Sequence, residues 1–225
     1  MTDVIHRSIE LHPLCAAIVD TPEFQRLRYL KQLGTCSWVF PCAVHDRFSH
    51  SLGVAHLASR FASHLRAAQP ELCITDADVL CVTIAGLVHD LGHGPFSHFW
   101  EHDFMSRALE GTDTHFEHED LSCAIFDRLL ERNGLTDYAE QWLTVPGDLH
   151  FIKALVNGKP PLVEDGGSDV TGSGSDGSTS SWVAPTADFF RCAMAAEDCG
   201  VPGRDKRFLY DIVSNKLNGL DVDKL

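Results

Sequence analysis

The chain has 225 residues, 44% of them hydrophobic, enough for one sizeable domain with a buried core, alone or with an appendage. Its 18 Lys and Arg stand against 32 Asp and Glu, and the resulting formal net charge of −14 argues against a generic nucleic-acid binder, which needs a basic face. A polyanionic ligand would have to be met by locally gathered cations or by bound metal.

Taken in chain order, the opening MTDVIHRSIELHP is polar and mixed, without the charged-then-apolar pattern of a secretory signal. DTPEFQRLRYLKQLG (20–34) starts with capping residues and a first-turn proline, then spaces Phe24, Leu27, Leu30 and Leu33 along one face, which predicts a helix. A second helix is predicted at 50–68, with Val54, Leu57, Ala58, Phe61 and Leu65 as its apolar stripe. A third, at 75–90, has an acidic first turn and a body apolar all round, as expected for the centre of a bundle. Further helices are expected at 117–133, 148–157 and 206–215, the first two ended by glycine. EDGGSDVTGSGSDGSTSS (164–181) has a single apolar residue and reads as a disordered loop, while 182–200 regains apolar residues and is expected to form a short helix. No stretch alternates with period two, so the class is all-α. The organisation expected is a helical core over 1–163, the loop 164–181, and a C-terminal helical segment over 182–225.

The longest apolar run, VLCVTIAGLV (79–88), is far short of the roughly 20 residues of a membrane span. The eight cysteines form no C-x-x-C pair and mostly sit among apolar neighbours, as reduced core cysteines do. These features predict a soluble intracellular protein, nuclear or cytoplasmic, with no membrane partner.

The chemistry concentrates in GLVHDLGHGPFSHFW (86–100), where the apolar helix ends in His89 and Asp90. A single histidine at a helix end is ordinarily a dipole partner. An adjacent imidazole and carboxylate on a buried helix are costly without partners, and a divalent metal accepts both at once. The glycines and proline that follow break the helix, so a loop carries His93 and His98.

His50 in HDRFSHSLGV, His89–Asp90 and Asp223 in NGLDVDKL match the H…HD…D signature, and the chain resembles the HD-domain phosphohydrolases. IELHPLCAAIVDTPEFQRLRYLKQLG, VFPCAVHDRFSHSLGV and FLYDIVSNKLNGLDVDK narrow the likeness to the deoxynucleoside triphosphate triphosphohydrolase branch. The resemblance covers about 1–158 and 203–224 and implies an HD-domain helical bundle. It implies His50, His89, Asp90 and Asp223 as ligands of iron, zinc or manganese, and His93, His98 and His118 as pocket residues. Glu101 stands where the family has Asp, and Gln32, Leu33, Arg47 and Lys224 match substrate-contacting positions. Asp20, Gln25 and Arg28 match part of a site for a GTP or dGTP activator at an oligomer interface. The implied reaction releases deoxynucleoside and inorganic triphosphate from a dNTP, with His98 beside Glu101 passing a proton to the leaving oxygen. Arg47, Lys224 and Mg²⁺ carried with the nucleotide would offset its charge. Family analogy extends to nucleotide-pool control and antiviral defence.

Other charged groups read as ordinary surface: His6, His12, His56, His64, His102, His115 and His150 as surface or locally bonded groups, Arg26 and Lys31 as a solvated helix face, and 101–140 as solvated apart from Glu101 and the surroundings of His118. His45 is undecided between surface and function. Relatives continue well beyond the position of Lys224, which leaves a second expectation: a truncated, catalytically weak relative that binds nucleotide or regulates a full-length homologue.

Overall fold

The computed structural model describes residues 1–112, 116–158 and 206–225. The first residues make a small antiparallel hairpin, β1 (Thr2–Asp3) against β2 (Arg7–Ser8), its turn closed by the Asp3 carboxylate accepting the amides of Ile5 and His6. Helix α1 (Pro13–Val19) begins with proline and is capped by the His12 imidazole, which accepts the Leu14 amide. Thr21 caps α2 (Pro22–Gln25), which passes at once into a 3-10 turn, Arg26–Tyr29.

The helix expected over 20–34 is therefore much shorter. Its second half is taken by long-range bonds: the Leu30 carbonyl accepts the Arg47 amide (2.9 Å), and the Gln32 amide donates to the His45 carbonyl (3.1 Å). Those two bonds flank an isolated antiparallel bridge between Lys31 and Asp46, with Leu30 extended and Gln32 already in a turn, and tertiary pairing overrides helix propensity.

Asp46 caps α3 (Arg47–Ala68) by accepting the Ser49 amide, and a reciprocal capping box between Thr75 and Asp78 opens α4 (Asp76–Val88). These two helices form the centre of the fold. They approach closely because Gly86 faces Ala55, Ala58 and Val54; a Cβ on it would meet Ala58 at 3.3 Å. Ile84, Ala85 and Leu87 of α4 are fully buried, and each such Leu or Ile contributes about 1.5–3 kcal/mol on apolar area alone.

After a π-helical turn (Trp100–Met105) come α5 (Ser106–Ala108), α6 (His118–Arg132), α7 (Leu135–Ala139) and α8 (Gly147–Asn157). Helices α6 and α8 pack on α4. The expected helix at 206–215 is a 3-10 turn, Arg207–Leu209, running into α9 (Tyr210–Val213), which touches α3, α4 and α8. A last 3-10 turn, Val222–Lys224, returns to α3.

The fold is all-α as expected, with the small hairpin added. Cys15, Cys81 and Cys123 are buried and free, as core cysteines should be; Cys36 and Cys42 are exposed, against that expectation. The acidic stretch 101–140 contributes core residues through Cys123, Phe126, Leu129 and Leu130 on α6, so it is not simply a solvated surface. No helix among the described residues is long and apolar enough to cross a membrane. The expected loop 164–181, the short helix within 182–200 and His115 lie outside the described residues.

Candidate metal centre and adjoining pocket

Helix α4 delivers His89 and Asp90 at its C-terminal end, and α3 delivers His50 from its first turns. The His89 Nδ1–H donates to the Gly86 carbonyl one turn back (2.8 Å), which leaves the Nε2 lone pair turned outward. His50 Nε2 lies 2.8 Å from Asp223 Oδ1 and 3.5 Å from Asp90 Oδ2; His89 Nε2 lies 3.3 Å from Asp223 Oδ1 and 3.4 Å from Asp90 Oδ1. A first-row divalent ion binds such donors at about 2.0–2.2 Å, which sets neighbouring donors about 3.0–3.5 Å apart. Two imidazole nitrogens and two carboxylates at these separations fit that requirement, and His50, His89 and Asp90 can hold a metal ion.

The charges here are strongly coupled. Burial would depress the His89 pKa, but Asp90 and Asp223 outweigh it and raise it to about 9. Burial would raise Asp90, yet His89, His93 and Arg47 hold it well below the ordinary carboxylate range. Asp223 is likewise lowered against its burial, chiefly by hydrogen bonds from His50 and His89. Arg47, expected to meet substrate, is itself buried: one guanidinium nitrogen pairs with Asp90, Nε donates to Ser97 Oγ (3.1 Å), and Nη2 is buried without a protein partner.

Beyond Asp90 the three remaining histidines cluster. His93 Nε2 sits 3.3 Å from Asp90 Oδ1, and its ring stacks on His118 (3.9 Å between centroids) and meets His98 edge-on (5.2 Å). Burial lowers the His93 pKa to about 4, so it is neutral at physiological pH, and its Nδ1 is buried without a partner. Glu101 is paired with His118: its carboxylate accepts the His118 Nδ1–H (2.8 Å) and the His118 amide (3.2 Å). The expected pairing with His98 is looser, at 3.8 Å, because His98 is carried on the exposed outer side of the turn while His118 starts a helix that packs inward. A cavity of about 610 Å³ opens here, lined by His98, Glu101, His118, Asn157 and Lys216 among others.

Local backbone chemistry builds this arrangement. Gly92 is needed for close approach: a Cβ there would lie 2.1 Å from the His118 carbonyl and 2.6 Å from the Ser122 amide. The Ser122 hydroxyl accepts the Gly92 amide (2.7 Å) and donates to the His89 carbonyl (2.5 Å), tying α6 to the end of α4. Arg26 donates to the carbonyls of His93 (3.1 Å) and Leu91, so it holds the histidine loop and is not a solvated face. Phe96 and Ser97 both have positive φ, 64° and 54°, a strained turn that Arg47 holds through Ser97. Arg26, Ser97 and Ser122 were missed by sequence reasoning, because their only signal is a bond across the fold.

The other expected contacts are more dispersed. Gln32 Oε1 is buried without a partner, Leu33 is half exposed, and Lys224 pairs with Asp221 (2.8 Å). Gln25 donates to the Val19 carbonyl (2.7 Å) and accepts from Arg28 Nε (2.7 Å), while the Arg28 guanidinium lies 3.5 Å over the Phe48 ring. Asp20 is exposed at the end of α1. His45, His64, His102 and His150 are exposed as well.

The HD domain family matches residues 47–151, the stretch that carries His50, His89, Asp90 and the three pocket histidines. The chain is 47% identical to the deoxynucleoside triphosphate triphosphohydrolase SAMHD1 of Xenopus laevis, over 99% of this chain and 32% of that protein. Identity to the Homo sapiens protein of the same name is 45%, over all of this chain and 31% of the relative. A Dictyostelium discoideum homolog of that name is 36% identical over all of this chain and 34% of its own length. The chain thus spans about a third of the length of these relatives.

Proposed function

From the premise that residues 47–151 form an HD domain, we propose that this chain hydrolyses deoxynucleoside triphosphates to deoxynucleoside and inorganic triphosphate. The observation that carries the reading is one constellation. Two imidazole Nε2 atoms and two carboxylates converge at 2.8–3.5 Å, and beside them stand two buried polar atoms without protein partners, the Arg47 Nη2 donor and His93 Nδ1. A buried unpartnered guanidinium nitrogen next to a metal-binding set suits an oxygen of a phosphate ester.

His50, His89, Asp90 and Asp223 would hold the ion, with iron, zinc and manganese the candidates. When bound, such an ion polarises a phosphoryl oxygen and orients the attacking water. Arg47 stays close enough to share its charge between Asp90 and the α-phosphate. Neutral His93 directs its Nε2–H at Asp90, which helps to orient that carboxylate without adding a charge that would repel the ion. The Glu101 carboxylate orients His118, and His98 reaches the cavity from its exposed turn. Water oxygen bonds to the α-phosphorus, the bond to the 5′-oxygen breaks, His98 or His118 gives a proton to that oxygen, and the proton lost by the water restores the histidine. Gln32, Leu33 and Lys224 would contact the substrate, whose triphosphate arrives with Mg²⁺. Asp20, Gln25 and Arg28 form the candidate seat for a GTP or dGTP activator.

The exposed apolar run Trp38, Val39 and Phe40 suits a protein partner, either a second copy or a full-length homologue. An intracellular role in nucleotide-pool control, and with it antiviral defence, follows from the same reading. One observation favours a weaker variant, in which the chain binds nucleotide and regulates a homologue: Asp223 sits on a single 3-10 turn with a third of its side chain exposed. Incubation with each dNTP, with and without GTP, separates the two. Release of inorganic triphosphate supports the enzyme, and nucleotide binding with no release at any protein concentration supports the regulator.

A further inference from the structure

His102 belongs to none of the roles above, yet it lies one helical turn from His98, with Glu101 between them. The two imidazoles run nearly parallel, 5.7 Å apart at 11°, and a nitrogen of each lies within 4.8 Å of the other and of a Glu101 oxygen. Histidines at i and i+4 on one face form a familiar zinc-binding arrangement, to which a nearby carboxylate adds a third ligand. Zinc needs donors about 3.0–3.5 Å apart. Both imidazoles are exposed, so closing the gap takes side-chain rotation and no backbone movement. The surroundings favour a cation: Glu101, Glu117 and Glu119 line the cavity, and among the described lining residues Lys216, which pairs with Glu119, is the one Lys or Arg.

We propose that His98, Glu101 and His102 form a second, reversible zinc site at the wall of the catalytic cavity, distinct from the His50–His89–Asp90–Asp223 centre. Its consequence rests on the hydrolase reading. A zinc ion there occupies a His98 nitrogen and competes with His118 for the Glu101 carboxylate, so it withdraws His98 from proton transfer, loosens the orientation of His118 and inhibits turnover. The site is regulatory, because His102 makes no contribution to the proposed hydrolysis.

The test is zinc stoichiometry in the full chain, by titration against a chromophoric chelator, for wild type, His89→Ala, His102→Gln and His102→Cys. Two zinc ions are expected for wild type, one for each of His89→Ala and His102→Gln, and two again for His102→Cys, which restores a ligand. Loss of His102 should weaken the second zinc by at least about tenfold, since even partners outside the ligand shell cost that much. In the manganese-loaded chain, zinc sufficient to fill the second site should slow wild-type turnover more than His102→Gln. A single zinc abolished by His89→Ala and untouched by His102→Gln ends this proposal and leaves the hydrolase reading standing. A single zinc lost only in His102→Gln supports the second site and removes zinc from the candidates for the His50–His89–Asp90–Asp223 centre, and no zinc at all defeats the second site. Retention of both ions by His102→Gln, or equal inhibition of that variant, also defeats the second site.

Discussion

Three of the four proposed metal ligands and the fourth are held by different physics. His50, His89 and Asp90 sit where α3 and α4 pack most closely, with Arg47, Ser122 and the Gly86 carbonyl fixing them from behind. Asp223 arrives on a short 3-10 turn whose anchors lie upstream of it: Leu209, Tyr210, Ile212, Val213 and Val222 are buried, Asp221 accepts the Asn215 amide (3.0 Å), and Lys206 is buried against Asp78 (2.6 Å). The rigid end can define a coordination geometry alone. The C-terminal segment can complete it only when its anchors hold, so affinity for metal should respond differently to changes in the two regions.

The sharpest way to break that contrast is to cut the far anchor. Lys206→Met leaves the buried Asp78 with its Thr75 hydrogen bonds but without a counter-charge, and should cost about 3 kcal/mol in urea unfolding. The double variant Asp78→Leu/Lys206→Met removes the uncompensated charge but also the Thr75–Asp78 capping box, so it should recover only part of this, short by about 1 kcal/mol. If Lys206→Met changes neither stability nor metal affinity, the segment is held by something else. On the rigid side, Gly92→Ala forces a Cβ into the backbone of α6 and should cost about 3 kcal/mol, with a matching loss of metal. An alanine accepted there without loss would mean that the loop is less tightly seated than its contacts suggest.

Ligand replacements sharpen the comparison further. His89→Ala or Asp90→Ala should lower metal affinity by at least about a hundredfold, near 2.7 kcal/mol, since no neighbour can take their place. Asp223→Asn should cost less, about tenfold, because the amide oxygen and water can serve at a third-exposed position. Equal losses at Asp90 and Asp223 would erase the distinction between the regions.

The smallest effect is a pH dependence. In the metal-free chain His89 titrates near 9, against 6.5 for an ordinary histidine. Its charge therefore contributes stability that is complete below about 6.5 and is lost as pH rises through 9. Metal needs the neutral imidazole, so affinity should rise with pH by up to about tenfold per unit until about 9, where proton release stops. A flat profile between pH 6 and 8 would mean that His89 does not bind the ion.

Much of the centre was legible because its ligands are written as a motif. His89–Asp90 closes the most apolar helix, and His50 and Asp223 stand in stretches that resemble known HD-domain text. The helices at α3, α4, α6 and α8 followed from their periodicity and caps. The helix over 20–34 did not, since its apolar spacing fits the core equally well as a 3-10 turn followed by extended backbone, and only the long-range bonds to His45 and Arg47 decide between them. The same holds for Arg26 and Ser122, whose roles are bonds to carbonyls and amides more than 30 residues away or close to it. For Glu101 the family resemblance implies His98 as partner, whereas the inward turn of α6 brings the carboxylate closer to His118, 2.8 Å against 3.8 Å.

The central claim is that His50, His89, Asp90 and Asp223 jointly hold one catalytic metal ion. Metal analysis of the purified chain, beside His89→Ala and Asp90→Ala, tests it most directly, on protein dialysed until any weaker ion has left. The expected result is one tightly held transition-metal ion per wild-type chain and none in either variant. No stoichiometric metal in the wild type, or metal retained in both variants, would contradict it.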